Sequence, residues 1–245
     1  MIYTKLGHYS HPEHKLKLIH SHTPYKCDGC MDIGFGLRYR CNPCNFDLHK
    51  DCMFATSSAN HAFYKDSVFK FHDSPPGERD RFCDACGGDV KGFVYHCKAH
   101  NRDLHPCCRN LPCRIEGDGV VLNLKEKVTS KCYWCGKREL WEGVTGWSYV
   151  STCKTYHFHV SCVKDILVKR WEKEYFNGDG NCSSVSGGAL EIDRNPDLEL
   201  VPYQGGGGGR FAKYLKMVKF VVKLIVSTLL GDPTAIVASI IEAII

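Results

Sequence analysis

Between positions 14 and 61 the chain carries eight side chains that bind metals well, at spacings that leave little room for anything but a metal-built fold. The segment reads His14-x12-Cys27-x2-Cys30-x10-Cys41-x2-Cys44-x4-His49-x2-Cys52-x8-His61. Two Cys-x2-Cys pairs and a His-x2-Cys pair suit tetrahedral zinc, because each short pair brings two side chains to one ion from a single turn. Eight ligands make two closed sites with no position left for water. Closed sites are structural, so the spacing predicts a binding module and not a metalloenzyme.

The pattern recurs. A second block reads Cys83-x2-Cys86-x10-Cys97-x2-His100-x4-His105-x2-Cys108, with His100 standing where Cys44 stands. A third, decayed block keeps only the outer pairs: Cys132-x2-Cys135-x17-Cys153-x5-His159-x2-Cys162. Repeats of 50–60 residues are near the size at which an apolar core alone is marginal. A structural zinc site contributes roughly 10–16 kcal/mol in comparable peptides, enough to fold such a unit. In all, 16 cysteines and 13 histidines stand among 245 residues. The alternative, a disulfide framework, fits poorly with Cys-x2-Cys interleaved with histidine. The first residues lead into no apolar stretch, so a cytoplasmic protein is expected, with the nucleus and the membrane periphery as alternatives, and not a secreted one. A formal charge of +5 without a long basic run argues against nucleic acid as the partner.

Between the ligands lie short aromatic and β-branched runs, Leu37-Arg38-Tyr39-Arg40, Gly92-Phe93-Val94-Tyr95 and Trp147-Ser148-Tyr149-Val150. They predict short antiparallel strands pinned by metal. After Cys162, the run Val163 to Trp171 has helical spacing. From about Asn177 to Arg210 the chain turns to Gly, Ser, Asp and Pro, which predicts a flexible linker; Cys182 lies within it.

These residues resemble the plant Cys/His-rich divergent C1 domain family. The likeness rests on Cys27-Asp28-Gly29-Cys30, Tyr39-Arg40-Cys41, Cys44-Asn45-Phe46-Asp47-Leu48-His49-Lys50-Asp51-Cys52, Lys91-Gly92-Phe93-Val94-Tyr95-His96-Cys97, Asp103-Leu104-His105-Pro106-Cys107-Cys108 and His159-Val160-Ser161-Cys162. The resemblance covers about residues 8–175 and implies small zinc-stabilised, β-rich cross-brace modules in tandem; composition and periodicity predict the flexible linker and the C-terminal helical hairpin that follow. The expected units are 1–62, 63–116, 117–176, the linker 177–210 and the tail 211–245. In the first, the resemblance assigns His14, Cys41, Cys44 and His61 to one zinc, and Cys27, Cys30, His49 and Cys52 to the other. In the second it assigns Cys83, Cys86, His105 and Cys108, with Cys97 and His100 half of another set that His72 and Cys113 could complete. Ser67 stands where the family has a cysteine. In the third, Cys132, Cys135, His159 and Cys162 form the one expected set; Cys153 and His157 are the side chains at hand for a second ion, which the expectation does not count. That makes four or five zinc ions per chain. The family context implies a non-enzymatic scaffold in intracellular signalling or in stress and defence responses. The segments Met31 to Arg40 and Gly87 to His96 are shorter than the loop that frames the diacylglycerol groove of lipid-binding relatives, so diacylglycerol is not expected as a ligand.

Two features stand apart. Cys107 precedes Cys108 where block one has Asp51, so spacing leaves it a spare thiol; a thioredoxin-like exchange pair would need an accessible Cys-x2-Cys in a βαβ setting. In residues 211–230, Lys213, Lys216, Lys219 and Lys223 share one arc, and Val218, Val221, Val222, Ile225 and Leu229 take the opposite one. Four lysines at roughly +2.5 to +3.5 kcal/mol each, where central, outweigh ten or so apolar residues at roughly −0.3 to −0.6 each, so a bilayer span is not expected. A membrane-surface, partner-binding or self-associating element is expected over 211–245, with packing back onto block three as the alternative.

Overall fold

The computed structural model describes residues 5–117, 120–141 and 143–177, together with Val221, Val222, Leu224 and Ile225. Three antiparallel four-stranded meanders follow one another along the chain. The first contains β1 (Lys5–His8), β2 (His11–Lys26), β3 (Ile33–Cys41) and β4 (Phe46–His49), and closes with the single-turn α1 (Lys50–Met53). The second contains β5 (Ser58–Ala59), β6 (Phe69–His72), β7 (Val94–Cys97) and β8 (Arg102–Leu104), followed by α2 (Pro106–Arg109). The third contains β9 (Arg114–Gly117), β10 (Val120–Lys125), β11 (Ser148–Ser151) and β12 (His157–His159), and leads into α3 (Val160–Asn177).

The three strand-like runs of the sequence are β3, β7 and β11, the third strand of each sheet. The expectation of uniformly short strands does not hold in the first unit. There β2 runs for 16 residues and β3 for nine, and the pairing extends to Lys26 opposite Ile33 across a bulge between Ser21 and Tyr25. The Tyr25 hydroxyl donates to the Leu37 carbonyl at 2.9 Å and steadies this extension.

A repeated contact joins the units. In the first Cys-x2-Cys turn, the Gly29 carbonyl accepts a 2.8 Å hydrogen bond from the Phe93 N–H of the second unit. In the next turn, the Ala85 carbonyl accepts a 2.8 Å bond from the Trp147 N–H of the third unit. Phe93 thereby becomes part of the first unit's core, beside Leu16, Tyr39 and Leu48. Trp147, only 1% exposed, joins the larger core shared by units two and three. In the third turn the equivalent position is Trp134, whose indole packs against that same core. Val221, Val222 and Ile225 are helical and buried in it as well, so these positions of the tail lie where the fold-back alternative puts them. The linker and the rest of the tail, with Cys182, lie outside the described residues.

Gly92 sets how closely the first two units approach. A Cβ there would lie 2.0 Å from the Gly29 carbonyl oxygen, a backbone atom that cannot rotate away. We expect Gly92→Ala to separate these units while leaving each folded, at a cost of about 1–3 kcal/mol, as for overpacking elsewhere. Amide exchange at Phe93 and proteolysis between β4 and β5 should both accelerate. Unchanged protection at Phe93 would show that the backbone contact does not hold the seam.

Candidate metal centres

Each unit builds the same pocket from the same parts. A Cys-x2-Cys turn supplies two thiols. The Asp28, Asp84 and Tyr133 N–H groups at its second position donate to the carbonyls of Asp47, Asp103 and His157 on the fourth strand, at 2.8, 2.8 and 2.7 Å. The ligand histidine ends that strand in units one and three and directly follows it in unit two, and the helical turn after it carries the last cysteine. In the first two units Asp28 and Asp84 also accept from the N–H of Asp47 and Asp103, both at 2.7 Å. The residue after each turn takes a left-handed conformation: Met31 at φ 62°, Gly87 at 70° and Gly136 at 68°.

The resulting quartets are Cys27, Cys30, His49, Cys52; Cys83, Cys86, His105, Cys108; and Cys132, Cys135, His159, Cys162. Within each, one donor atom per residue lies within 4.8 Å of all the others. From the histidine Nδ1, the second cysteine's Sγ is 3.3, 3.5 and 3.4 Å away and the last cysteine's is 3.9, 4.0 and 3.6 Å. A tetrahedral zinc shell with three sulfurs and one nitrogen has donor–donor edges of about 3.5–3.8 Å, so these pockets match its size. The histidines are turned to suit. The Nε2 of His105 faces the Asp89 carbonyl at 3.0 Å and that of His159 the Arg138 carbonyl at 3.3 Å. An Nε2–H bonded there leaves the Nδ1 lone pair aimed at the sulfurs. The His49, His105 and His159 N–H groups donate to the first cysteine's Sγ at 3.3, 3.5 and 3.4 Å, as a coordinated thiolate requires.

The electrostatics agree. Hydrogen bonds from Cys162 outweigh burial at Cys132 and, with His159, hold its thiol down to about 3. Cys86 is likewise held well below the ordinary thiol range, by hydrogen bonds from Cys108 and Cys83. Burial alone would lower His49, but the neighbouring Cys107 and Cys27 raise it to about 9. Nearby sulfur likewise raises His105 well above its ordinary value against the pull of burial, through Cys83 and Cys86.

A fourth quartet stands at the far end of the first unit: His11, His14, Cys41 and Cys44. His14 Nδ1 lies 3.2 Å from Cys44 Sγ, and the buried His11 Nε2 meets no hydrogen-bond partner. The chain order of its ligands interleaves with that of the inner quartet, so the two centres cross-brace the unit. Here the structure corrects the assignment of His61. After α1 the chain leaves for the second sheet, and His61 stacks on Trp147 at 4.5 Å while its Nδ1 accepts from the Phe63 N–H at 3.2 Å. His11 takes its place. His11-x2-His14 has the same spacing as the Cys-x2-Cys pairs, and that was the signal available in the sequence.

The second centre expected from Cys97, His100, His72 and Cys113 does not assemble among the described residues. Strand register explains why. Lys17 pairs with Arg40 and Lys70 with His96, each just before a cysteine of the third strand. Counting back from these lysines, His14 and His11 of unit one correspond to Ser67 and Tyr64 of unit two. Tyr64 instead packs its ring against exposed His100 at 5.6 Å. His72 lies against His96, and Cys113 is exposed. In unit three, His157 hydrogen-bonds Ser148 at 2.9 Å and Ser130 at 3.2 Å through its two nitrogens, and Cys153 bonds Ser151 at 3.2 Å, so neither is presented to an ion.

The inner and outer centres of unit one differ in burial: all four inner ligands are buried, whereas His14 and Cys44 are exposed. We expect Cys44→Ser to remove one zinc and loosen β1 and the start of β2, leaving the core around Leu16 and Leu48 in place. Zinc content and exchange rates along β2 report the outcome. Global unfolding would show that the outer ion carries the unit.

Cys107 belongs to no quartet, yet it is not isolated. With Asp32 and Cys108 it forms a further group of close donors, and Asp32 also takes the ammonium of Lys164 from α3.

No curated protein and no solved structure matches the chain. Residues 9–53, which hold both centres of the first unit, match the family model of the C1 domain.

Proposed function

We propose that the protein is a non-enzymatic zinc-built scaffold that binds protein partners in intracellular signalling. The observation that carries this is closure. Each quartet supplies four protein donors, and a four-coordinate ion so held has no position for a substrate or an activating water. Zinc then acts by fixing backbone, and the function passes to the surfaces it holds. Among the described residues no helix is long and apolar enough to cross a membrane. The Cys-x2-Cys pairs are built into quartets with histidine, which argues against dithiol exchange. The test pairs two measurements on the metal-loaded chain. A partner retained by the loaded protein, lost on chelation and regained with added zinc supports the scaffold. Catalytic reduction of insulin disulfides by fully loaded protein contradicts it.

A further inference from the structure

We propose that the outer face of the first sheet binds an acidic segment of a protein partner; this rests on the scaffold reading and names the chemistry of its partner. Strand register sets like charges side by side. Lys5 on β1 pairs with Lys17 on β2, and Lys17 pairs with Arg40 on β3, so three cations form one row across three strands. Alternation along the strands fixes their direction. Their neighbours Leu6, Leu16 and Tyr39 pack in the core of the first unit, so Lys5, Lys17 and Arg40 face outward. Lys15, two residues before Lys17, faces the same way and is exposed. Arg38, two residues before Arg40, adds a fifth cation to this face.

Side chains directly opposite each other have Cβ atoms about 4.5–5.5 Å apart, and like charges so placed repel. Lysine on an edge strand guards against stray pairing, which accounts for Lys5, but β2 and β3 are inner strands. Asp47 ends the row opposite Arg40, and its carboxylate is shared by the Arg40 and Arg38 guanidinium groups. Glu13 lies beyond Lys15 on β2. The outer metal centre, once filled, adds no charge, because two thiolates balance one zinc ion. The row costs the unit stability and presents a field matched to an anionic partner. Its dimensions suit a short acidic peptide. Lys15 and Lys17 stand about 6.8 Å apart, the interval at which an extended chain with Asp or Glu at alternate positions presents its carboxylates. Across the strands the row is about 10 Å wide. Along β2 it is closed by Glu13 at one end and Ile19 at the other, so it holds only a few anions. Nucleic acid held by its backbone needs a longer track, with roughly 6–10 phosphate contacts in salt-sensitive binders.

The experiment titrates the metal-loaded full chain into a fluorescein-labelled peptide with glutamate at every second position and follows anisotropy. The matching glutamine peptide, a single-stranded oligonucleotide and phosphatidylserine vesicles are the other arms. We expect saturable binding of the glutamate peptide and not of the glutamine peptide, weakening as salt rises to about 0.15 M, where the Debye length is about 8 Å. Lys17→Glu should lower the affinity about tenfold yet raise the thermal midpoint, because it sets a carboxylate between Lys5 and Arg40. Loss of a merely structural contact would lower the midpoint instead. Lys15→Gln should weaken binding and leave the midpoint in place, and both variants should keep the parent's zinc content. No binding by the parent, parent-like binding by Lys17→Glu, or tighter binding of the oligonucleotide or the vesicles than of the peptide overturns the proposal. Any of these leaves the scaffold reading standing, because that reading falls to a different result, the reduction of insulin disulfides by the loaded chain.

Discussion

Cys108→Ser should unfold the central unit and free the units on either side of it. Cys108 is fully buried, shares a pocket with Cys83, Cys86 and His105, and receives the Lys164 ammonium at 3.6 Å from α3. A structural zinc site is worth roughly 10–16 kcal/mol of apparent folding energy, comparable with the entire stability of about 5–15 kcal/mol of an ordinary domain. Unit two has one centre to lose, and its sheet includes a two-residue strand and a three-residue strand. Its Phe93 also fills the core of unit one, and its Ala85 carbonyl anchors Trp147 of unit three. The expected result is loss of one zinc with exchange protection falling across β5 to β8, and raised exchange at Leu16, Leu48 and Trp147. A variant that keeps its β7 protection and sheds only the ion would show that the apolar core, not the metal, holds this unit.

Trp147→Ala should cost about 3–5 kcal/mol, the range for removing a buried large aromatic. The indole is 1% exposed, stacks on His61 at 4.5 Å and meets Phe63 edge-on at 4.9 Å. It therefore clamps three segments: the β5–β6 connection of unit two, the Cys-x2-Cys turn of unit two and the sheet of unit three. Its buried Nε1 finds no hydrogen-bond partner, so removing it recovers part of the packing loss. The zinc content should remain that of the parent, because no ligand is touched, while the thermal transition falls and broadens as units two and three uncouple. A change within the roughly 0.5 kcal/mol typical of surface substitutions would place the junction's stability elsewhere.

The inner centres were legible in the sequence because each ligand pair comes from one local structure. Cys27 with Cys30, and His49 with Cys52, are set by a turn and by a strand end running into a helical turn, and spacing encodes both. The outer centre was only half legible. Cys41 and Cys44 share a turn, but their partners come from a distant strand, and the choice between His11 and His61 depends on where the chain goes after α1. Spacing also made Cys97 and His100 look like ligands. Register, which appears only when strands pair, puts Ser67 and Tyr64 where the missing donors would have to stand. The seams were the least visible. Phe93 and Trp147 read as strand residues, and nothing local shows that their N–H groups dock on the metal turn of the preceding unit. The tail was amphipathic by periodicity, and periodicity cannot say which surface covers the apolar arc; Val221, Val222 and Ile225 are covered by the chain's own core.

The central claim is that four closed centres, two in the first unit and one in each of the others, hold the fold. Native mass spectrometry of the full chain, purified with zinc and without chelator, counts them directly. The account predicts a species with four zinc ions, and three in each of Cys44→Ser, Cys52→Ser, Cys108→Ser and Cys162→Ser. A folded protein with two zinc ions or fewer, or single substitutions that leave the count unchanged, would contradict it.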